Sequence, residues 1–502
     1  MTVIDWVIVA CYLVIIVLIG LAGLKKVKTG RDFAVAGSSL PVGIVTATLA
    51  ASYIGGSFAI GAAGATFREG YTYFFALLGF PLATIAVGIW VAPRLRRYAA
   101  ETVGDVMEHH YGVVARVFTG LISMVVCAAI LGAQIRALGT ILEVFTGIDF
   151  TVGAIVLTLI VIVYSTAGGL WSDVRADVIH FAVLAVAIPI AILVAIRSVG
   201  TPAEIVASVP PEFFTITGDK PIGFFISLFI GFVFGETLIQ PYSQRAFAGA
   251  NTKTVRKAFI YAGIFGIVFL FTTSSGGILA RALDPTIPSD AAMPELINRV
   301  IPAGFTGLLV AGFIAIIMSS ASSFLNSTTV VVVRDLWTLG GRRKIEDHTR
   351  LRFQRVMNLV IGVIALVVGL SFPNIIDILM VYFSTWAPTV IVPLLLGVLF
   401  DVRHRLAGPI AMVAGLLSTW LWNGPLGEPF GILGLAVGLV TNLIVFFLVV
   451  ALTPKTGMAP RGFDIVAPDT AAVETVWDET SGVSDDSDAA GDAAPATATK
   501  EG

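Results

Sequence analysis

Between Ser319 and Thr329 the chain reads Ser-Ser-Ala-Ser-Ser-Phe-Leu-Asn-Ser-Thr-Thr, and eight of these eleven residues carry a hydroxyl or an amide. The run sits inside an apolar stretch, with Leu308–Ile317 before it and Val330–Val333 after it. A lone Ser in such a helix bonds its own i−4 carbonyl and signals nothing. Eight together make an oxygen-rich, uncharged surface. Such a surface suits a hard cation such as Na+, whose water can be replaced by hydroxyl and carbonyl oxygens. A second candidate is Ala51-Ser52-Tyr53-Ile54-Gly55-Gly56-Ser57. Adjacent glycines weaken a helix by roughly 1 kcal/mol each. In an apolar medium an interrupted helix survives only where its freed carbonyls are buried or line a cavity. Close helix packing through small residues is the competing reading. The third is Gly235-Glu236-Thr237-Leu238-Ile239-Gln240-Pro241. Pro241 lacks a backbone donor and is expected to kink a helix. Glu236 is a carboxyl in an apolar run, which makes it a site candidate. Arg136 is the counter-charge to test, with Glu143, seven residues on, as the rival partner. Either Arg136 meets a carboxylate on a ligand, or Arg136 and Glu236 pair with each other.

These residues need a membrane around them. The 502-residue chain is 57% hydrophobic and 13% charged, against about 25% charged in soluble proteins. Cys11 and Cys127 both lie in apolar runs, which excludes a disulfide scaffold. A helical span needs about 20 mostly apolar residues. Thirteen segments qualify: 4–24, 41–66, 72–93, 113–145, 150–167, 177–198, 222–243, 258–280, 303–333, 354–372, 374–400, 407–423 and 429–452, numbered here as spans one to thirteen. The first is expected to stay in place, because Lys25, Lys26, Lys28 and Arg31 follow it and no basic residue precedes it. Lys and Arg collect on the cytoplasmic side. With the N-terminus outside and the C-terminus inside, 25 of the 31 basic residues fall at inside loops and the C-terminal tail, Arg245 among them, five fall outside, and Arg136 lies within a span. Residues 1–455 are expected to form one transmembrane domain. Residues 456–502 are expected to be a disordered acidic tail, since the last 41 residues hold ten acidic groups and one lysine.

The spans expected to carry function are therefore two, seven and nine. No phosphate-binding loop, dinucleotide fingerprint, Ser-His-Asp set or paired-histidine zinc motif stands out. The five histidines show no metal-ligand spacing with the cysteines, and His109–His110 reads as a solvated loop pair.

The chain resembles the sodium/solute symporter family over most of its membrane part. Asp32-Phe33-Ala34-Val35-Ala36-Gly37-Ser38-Ser39-Leu40-Pro41 is similar to the family's approach to its second helix. Tyr164-Ser165-Thr166-Ala167-Gly168-Gly169-Leu170-Trp171, with Asp177 and His180, resembles its fifth-helix stretch. Gln240-Pro241 and Gln244-Arg245 match the end of its seventh helix. Ser319 to Ser327, closed by Arg334-Asp335-Leu336-Trp337, resembles its ninth. The resemblance implies an all-α polytopic membrane protein with an inverted five-helix repeat, spans 2–6 and 7–11, whose first helices are broken. It implies a sodium site formed by carbonyls of Ala51, Ile54 and Ile316 with hydroxyls of Ser319 and Ser320. Asp177 matches an acidic residue near the inner ion-exit path. Substrate would be touched by Ser52, Tyr53, Ser57, Gln134, Gln240, Tyr382 and Trp386, with Arg136 and Glu236 as charged candidates. There are departures. Proline-transporting members carry an Asp where Tyr53 stands, and Ala176 and His180 replace a Thr and a Gln of the family pattern.

The expected activity is sodium-coupled symport of a small organic solute, an amino acid or other carboxylate, into the cell. No covalent chemistry, cofactor or nucleic acid is expected. The expected partners are Na+, the solute and the bilayer of the plasma membrane, with the monomer functional. A proton-coupled transporter using Glu236 or Asp177 is the alternative. A passive channel and a sensor with an output domain are the remaining rivals.

Overall fold

The structure is a computed structural model that describes residues 2–55, 57–300, 305–339, 345–371 and 384–453. The proposed acidic tail, part of span eleven and Tyr382 lie outside the described residues. Among the described residues the protein is helical, and Leu40 and Gly249 form an isolated parallel bridge. Eight helices are long and apolar enough to cross a membrane, and a bent pair makes a ninth. Ile222–Phe234 and Ser384–Phe400 are shorter apolar helices. The thirteen apolar segments fall on helices wherever they are described, apart from the breaks and segment ends.

One helix, Phe150–Val199, runs for 50 residues. At 1.5 Å per residue that is about 75 Å, more than twice the hydrocarbon thickness of about 30 Å. Gly169 divides it, with φ 50° and ψ −141°. The turn brings Gly169 so close to Phe33 that a Cβ there would lie 2.6 Å from the ring. The two halves carry spans five and six.

Spans two and seven are each broken. In span two, helix Val42–Tyr53 ends at Ile54 and the chain resumes at Phe58–Glu69, bent by 61°. A Cβ on Gly55 would sit 2.3 Å from the Ser320 hydroxyl, so only glycine lets this backbone approach span nine. In span seven, helix Ile222–Phe234 stops, Leu238 takes φ 61°, and helix Gln240–Ala248 begins. Pro241 does not kink a continuous helix. It lies in the first turn of the second segment, where its missing N–H was not needed. Span nine, Thr306–Trp337, is the most enclosed, with 94% of its apolar window buried against 28% for span one. It packs on spans one, four and ten and on the long helix of spans five and six.

The basic end of the bundle holds a buried ion network. Arg116 donates to Asp105, to Glu108 and, at 2.7 Å, to Asp335, all nearly unexposed. Arg334 reaches Asp105 at 3.2 Å. Burial would push Asp105 up, but Arg334 and Arg116 outweigh it and hold its carboxyl below the ordinary range. Removing one partner of such a set strands buried charge, at about 3–5 kcal/mol. Arg116→Met is therefore expected to lower the midpoint of thermal unfolding sharply and cut the yield of folded protein. An unchanged melting curve contradicts that account.

His109 and His110 are not a solvated loop pair. They lie in the last turn of helix Val103–Tyr111 and are 5% and 1% exposed. The Tyr98 ring packs edge-on to both, and its hydroxyl lies 2.8 Å from His110 Nε2. Burial pushes the His110 imidazole down to about 4.

Candidate functional site

The break in span two meets the hydroxyl run of span nine. A helix leaves its last four carbonyls without intrahelical partners. For helix Val42–Tyr53, capped by Ile54, those belong to Ala51, Ser52, Tyr53 and Ile54. Ser320 donates its hydroxyl to the Ser52 carbonyl at 2.7 Å. Ser319, one residue earlier and so turned to another side of its helix, donates to Asp177 Oδ1 at 2.5 Å. Thr48, on the turn of span two before the break, donates to Asp177 Oδ2 at 2.5 Å. Ile316, one turn before Ser320, is fully buried. Tyr164 donates to the Met318 carbonyl at 3.0 Å and steadies the start of the run.

A guanidinium completes this cluster. Arg245 Nη2 donates to Ser52 Oγ at 2.9 Å and to Ser323 Oγ at 2.5 Å, and lies 3.5 Å from Asp177 Oδ2. Its Nε is 3.3 Å from Thr48 Oγ1, and Nη1 donates to the Pro241 carbonyl at 3.1 Å. Ser52 and Ser323 hydroxyls lie 2.9 Å apart. Spans two, six, seven and nine are thus tied by one buried polar knot, with Asp177, Arg245, Ser319, Ser320 and Ser323 all 0% exposed. Asp177 lies in this knot and bonds Ser319 directly. Asp173, a further buried carboxyl, is one helical turn before it.

The substrate candidates divide. Gln134 is buried beside the break, its Oε1 3.1 Å from the position of a Cβ on Gly55. Tyr53 donates its hydroxyl to the Ala262 carbonyl and packs edge-on to Phe80 and Tyr242. Glu236 lies in the break of span seven and is buried. The neighbouring Thr237 carbonyl accepts from the Trp386 indole at 3.0 Å. Tyr53, Thr237 and Leu238 line one narrow internal space with Phe80, Tyr242 and Phe259. Gln240 stands apart: its amide donates to the Glu101 carbonyl at 3.0 Å and accepts from the Val103 N–H at 2.9 Å. Arg136 is half-buried with its guanidinium 5.0 Å over the Phe150 ring, and Glu143 is exposed. The Ser57 side chain and Tyr382 lie outside the described residues.

Sequence reasoning missed Arg245, Thr48 and Ser323 as members of the site. The charge count puts Arg245 in an inside loop. The structure puts it in helix Gln240–Ala248, four residues after Pro241, on a face turned to span two. The sequence carries no local signal for this, because the inward turn of Arg245 depends on a helix that restarts at Gln240 and packs against span two.

Likenesses to known proteins bear on what this arrangement belongs to. The chain is similar to the High-affinity proline transporter PutP of Bacillus subtilis (strain 168), 26% identical, covering 88% of this chain and 97% of the relative. It is similar to the Sodium/pantothenate symporter of Escherichia coli (strain K12), 25% identical over 80% of this chain and 87% of the relative. Its fold matches a solved, substrate-bound, outward-open Na+-coupled sialic acid symporter with a TM-score of 0.78, at 18% identity, over 90% of this chain and 98% of that one. The model of the sodium:solute symporter family matches residues 33–417, which takes in both helix breaks, the hydroxyl run, Asp177 and Arg245. The chain is a membrane protein of the sodium:solute symporter family.

Proposed function

We propose that the protein carries a small carboxylate-bearing solute into the cell together with sodium, by alternating access across the plasma membrane. The observation that carries this reading is the meeting of span two's freed carbonyl end with the Ser319 and Ser320 hydroxyls beside Asp177. In the proposed cycle the N-terminus faces outside and the basic end faces the cytoplasm. Sodium takes carbonyl oxygens of Ala51, Ile54 and Ile316 and the hydroxyls of Ser319 and Ser320. Bridging spans two and nine, it favours the state that accepts solute, as coupling requires. Asp177 then draws the ion inward once the solute leaves.

The solute is assigned to the space beside the break, near Tyr53, Gln134, Glu236 and Trp386. Gln240 is assigned a bracing role, since backbone groups occupy both ends of its amide. One charge moving through 100 mV yields ~2.3 kcal/mol, and a tenfold sodium gradient adds ~1.4 kcal/mol. Their sum supports an accumulation of several hundredfold for a neutral solute per ion, roughly tenfold for each 1.4 kcal/mol.

A second reading has one observation in its favour. Arg245 places a fixed positive charge next to Asp177, which a carrier coupled to protons through Glu236 would use in place of sodium. Uptake of radiolabelled L-proline, pantothenate and sialic acid into proteoliposomes separates the two. Glu236→Gln is expected to keep its sodium dependence at fixed pH. Wild-type uptake that follows the proton gradient and ignores sodium, and that Glu236→Gln abolishes, overturns the sodium reading.

A further inference from the structure

The last turn of helix Val103–Tyr111 carries two buried histidines, outside the site proposed above for transport. We propose that His109, His110 and Asp401 form a binding site for a divalent transition metal of the zinc class. One ligand atom from each residue lies within 4.8 Å of the other two. The Nδ1 of His110 is buried without a hydrogen-bond partner and lies 3.7 Å from Asp401 Oδ1. Its Nε2 faces the Tyr98 hydroxyl at 2.8 Å. With Nε2 protonated and donating to Tyr98, Nδ1 offers its lone pair to a metal. Metal-bound imidazoles are commonly braced through the far nitrogen in this way. The His109 ring stands at 84° to that of His110, with centroids 5.0 Å apart, so the two rings meet without stacking.

Asp401 comes from another element. It caps helix Val392–Phe400 in a left-handed conformation, φ 51°, and its side chain is 64% exposed. A metal therefore has a path from water. Two imidazoles and one carboxylate match zinc-class ions, leaving one coordination position for water. Magnesium and calcium favour all-oxygen sets. Zinc bonds of about 2.0–2.1 Å put tetrahedral ligands roughly 3.3 Å apart, so the three ligand atoms, now up to 4.8 Å apart, must draw together. Asp401 must also release Arg403, whose Nε now holds Oδ1 at 3.0 Å, while Nη2 can stay on Oδ2 at 3.1 Å.

His404 is close by but is not a ligand. Its Nδ1 accepts from the Ala407 N–H at 3.1 Å, and its Nε2 lies 3.0 Å from the Thr453 hydroxyl. Its own N–H donates to the His110 carbonyl at 3.0 Å and holds the two segments in register. A bound metal would clamp helix Val103–Tyr111 to the end of helix Val392–Phe400. The site stands on its own residues and does not rest on the sodium reading.

The test is titration calorimetry of the purified full chain, free of any histidine tag, with zinc chloride alone. One zinc per chain is expected. Asp401→Asn and His109→Gln are each expected to weaken binding by about tenfold or more, and His404→Gln is expected to leave it unchanged. Asp401 is exposed, so its variant keeps the fold even where a buried histidine variant does not. No saturable binding, or binding that survives both Asp401→Asn and His109→Gln, overturns the proposal.

Discussion

Ser319→Ala combined with Ser320→Ala is expected to raise the sodium concentration for half-maximal uptake by tenfold or more. A hydrogen-bonding group facing a charged partner contributes about 1.5–3 kcal/mol, and each 1.4 kcal/mol is roughly tenfold in affinity. The proposed ion loses two oxygens at once. The hydroxyls also hold Asp177 and the Ser52 carbonyl, so general loosening needs a control. Thr328→Ala supplies it. Thr328 lies on the same helix and donates only to its own Phe324 carbonyl, at 2.7 Å. Its removal is expected to leave sodium dependence as it was. A double serine variant with an unaltered sodium requirement removes these residues from the ion site.

Asp177→Asn is expected to abolish sodium-driven uptake and to destabilise the protein. The carboxylate faces two hydroxyls and the Arg245 guanidinium in a fully buried setting. Neutralising it leaves a buried cation without its counter-charge, a loss of about 3–5 kcal/mol. The two effects separate in a double variant. Arg245→Gln added to Asp177→Asn removes the stranded charge, so the thermal midpoint is expected to recover most of its loss. Uptake is expected to stay absent, because the cluster has lost the charge assigned to drawing sodium inward. Recovery of uptake along with stability contradicts a direct role and leaves Asp177 as a structural anion only.

The break in span two was legible because its cause is local: Gly55-Gly56 interrupts an apolar run, and the serine run of span nine is dense enough to stand out unaided. The interruption of span seven was legible but misplaced, expected as a kink at Pro241 and found before Gln240. What these breaks do to facing was not legible. Restarting a helix at Gln240 resets its register, so Arg245 turns toward Asp177 while Gln240 turns toward Glu101 and Val103. An Arg after an apolar run reads as a loop charge, and only the packing of span seven against span two shows otherwise. The histidine pair failed for a related reason. Polarity suggests water, but the residues that enclose His110 include Tyr98 and, far away in sequence, Gly397 of helix Val392–Phe400. Gly169 belongs to the fifth-helix motif, yet its role as the divider of a 50-residue helix depends on the contact with Phe33.

The central claim is that a sodium gradient drives the solute uphill. Proteoliposomes holding the purified protein, with sodium outside and potassium inside at equal pH, measure this directly with radiolabelled carboxylate solutes. The account predicts that internal solute rises above the external concentration and falls back when a sodium ionophore collapses the gradient. Accumulation that persists without sodium and tracks an imposed proton gradient would contradict it.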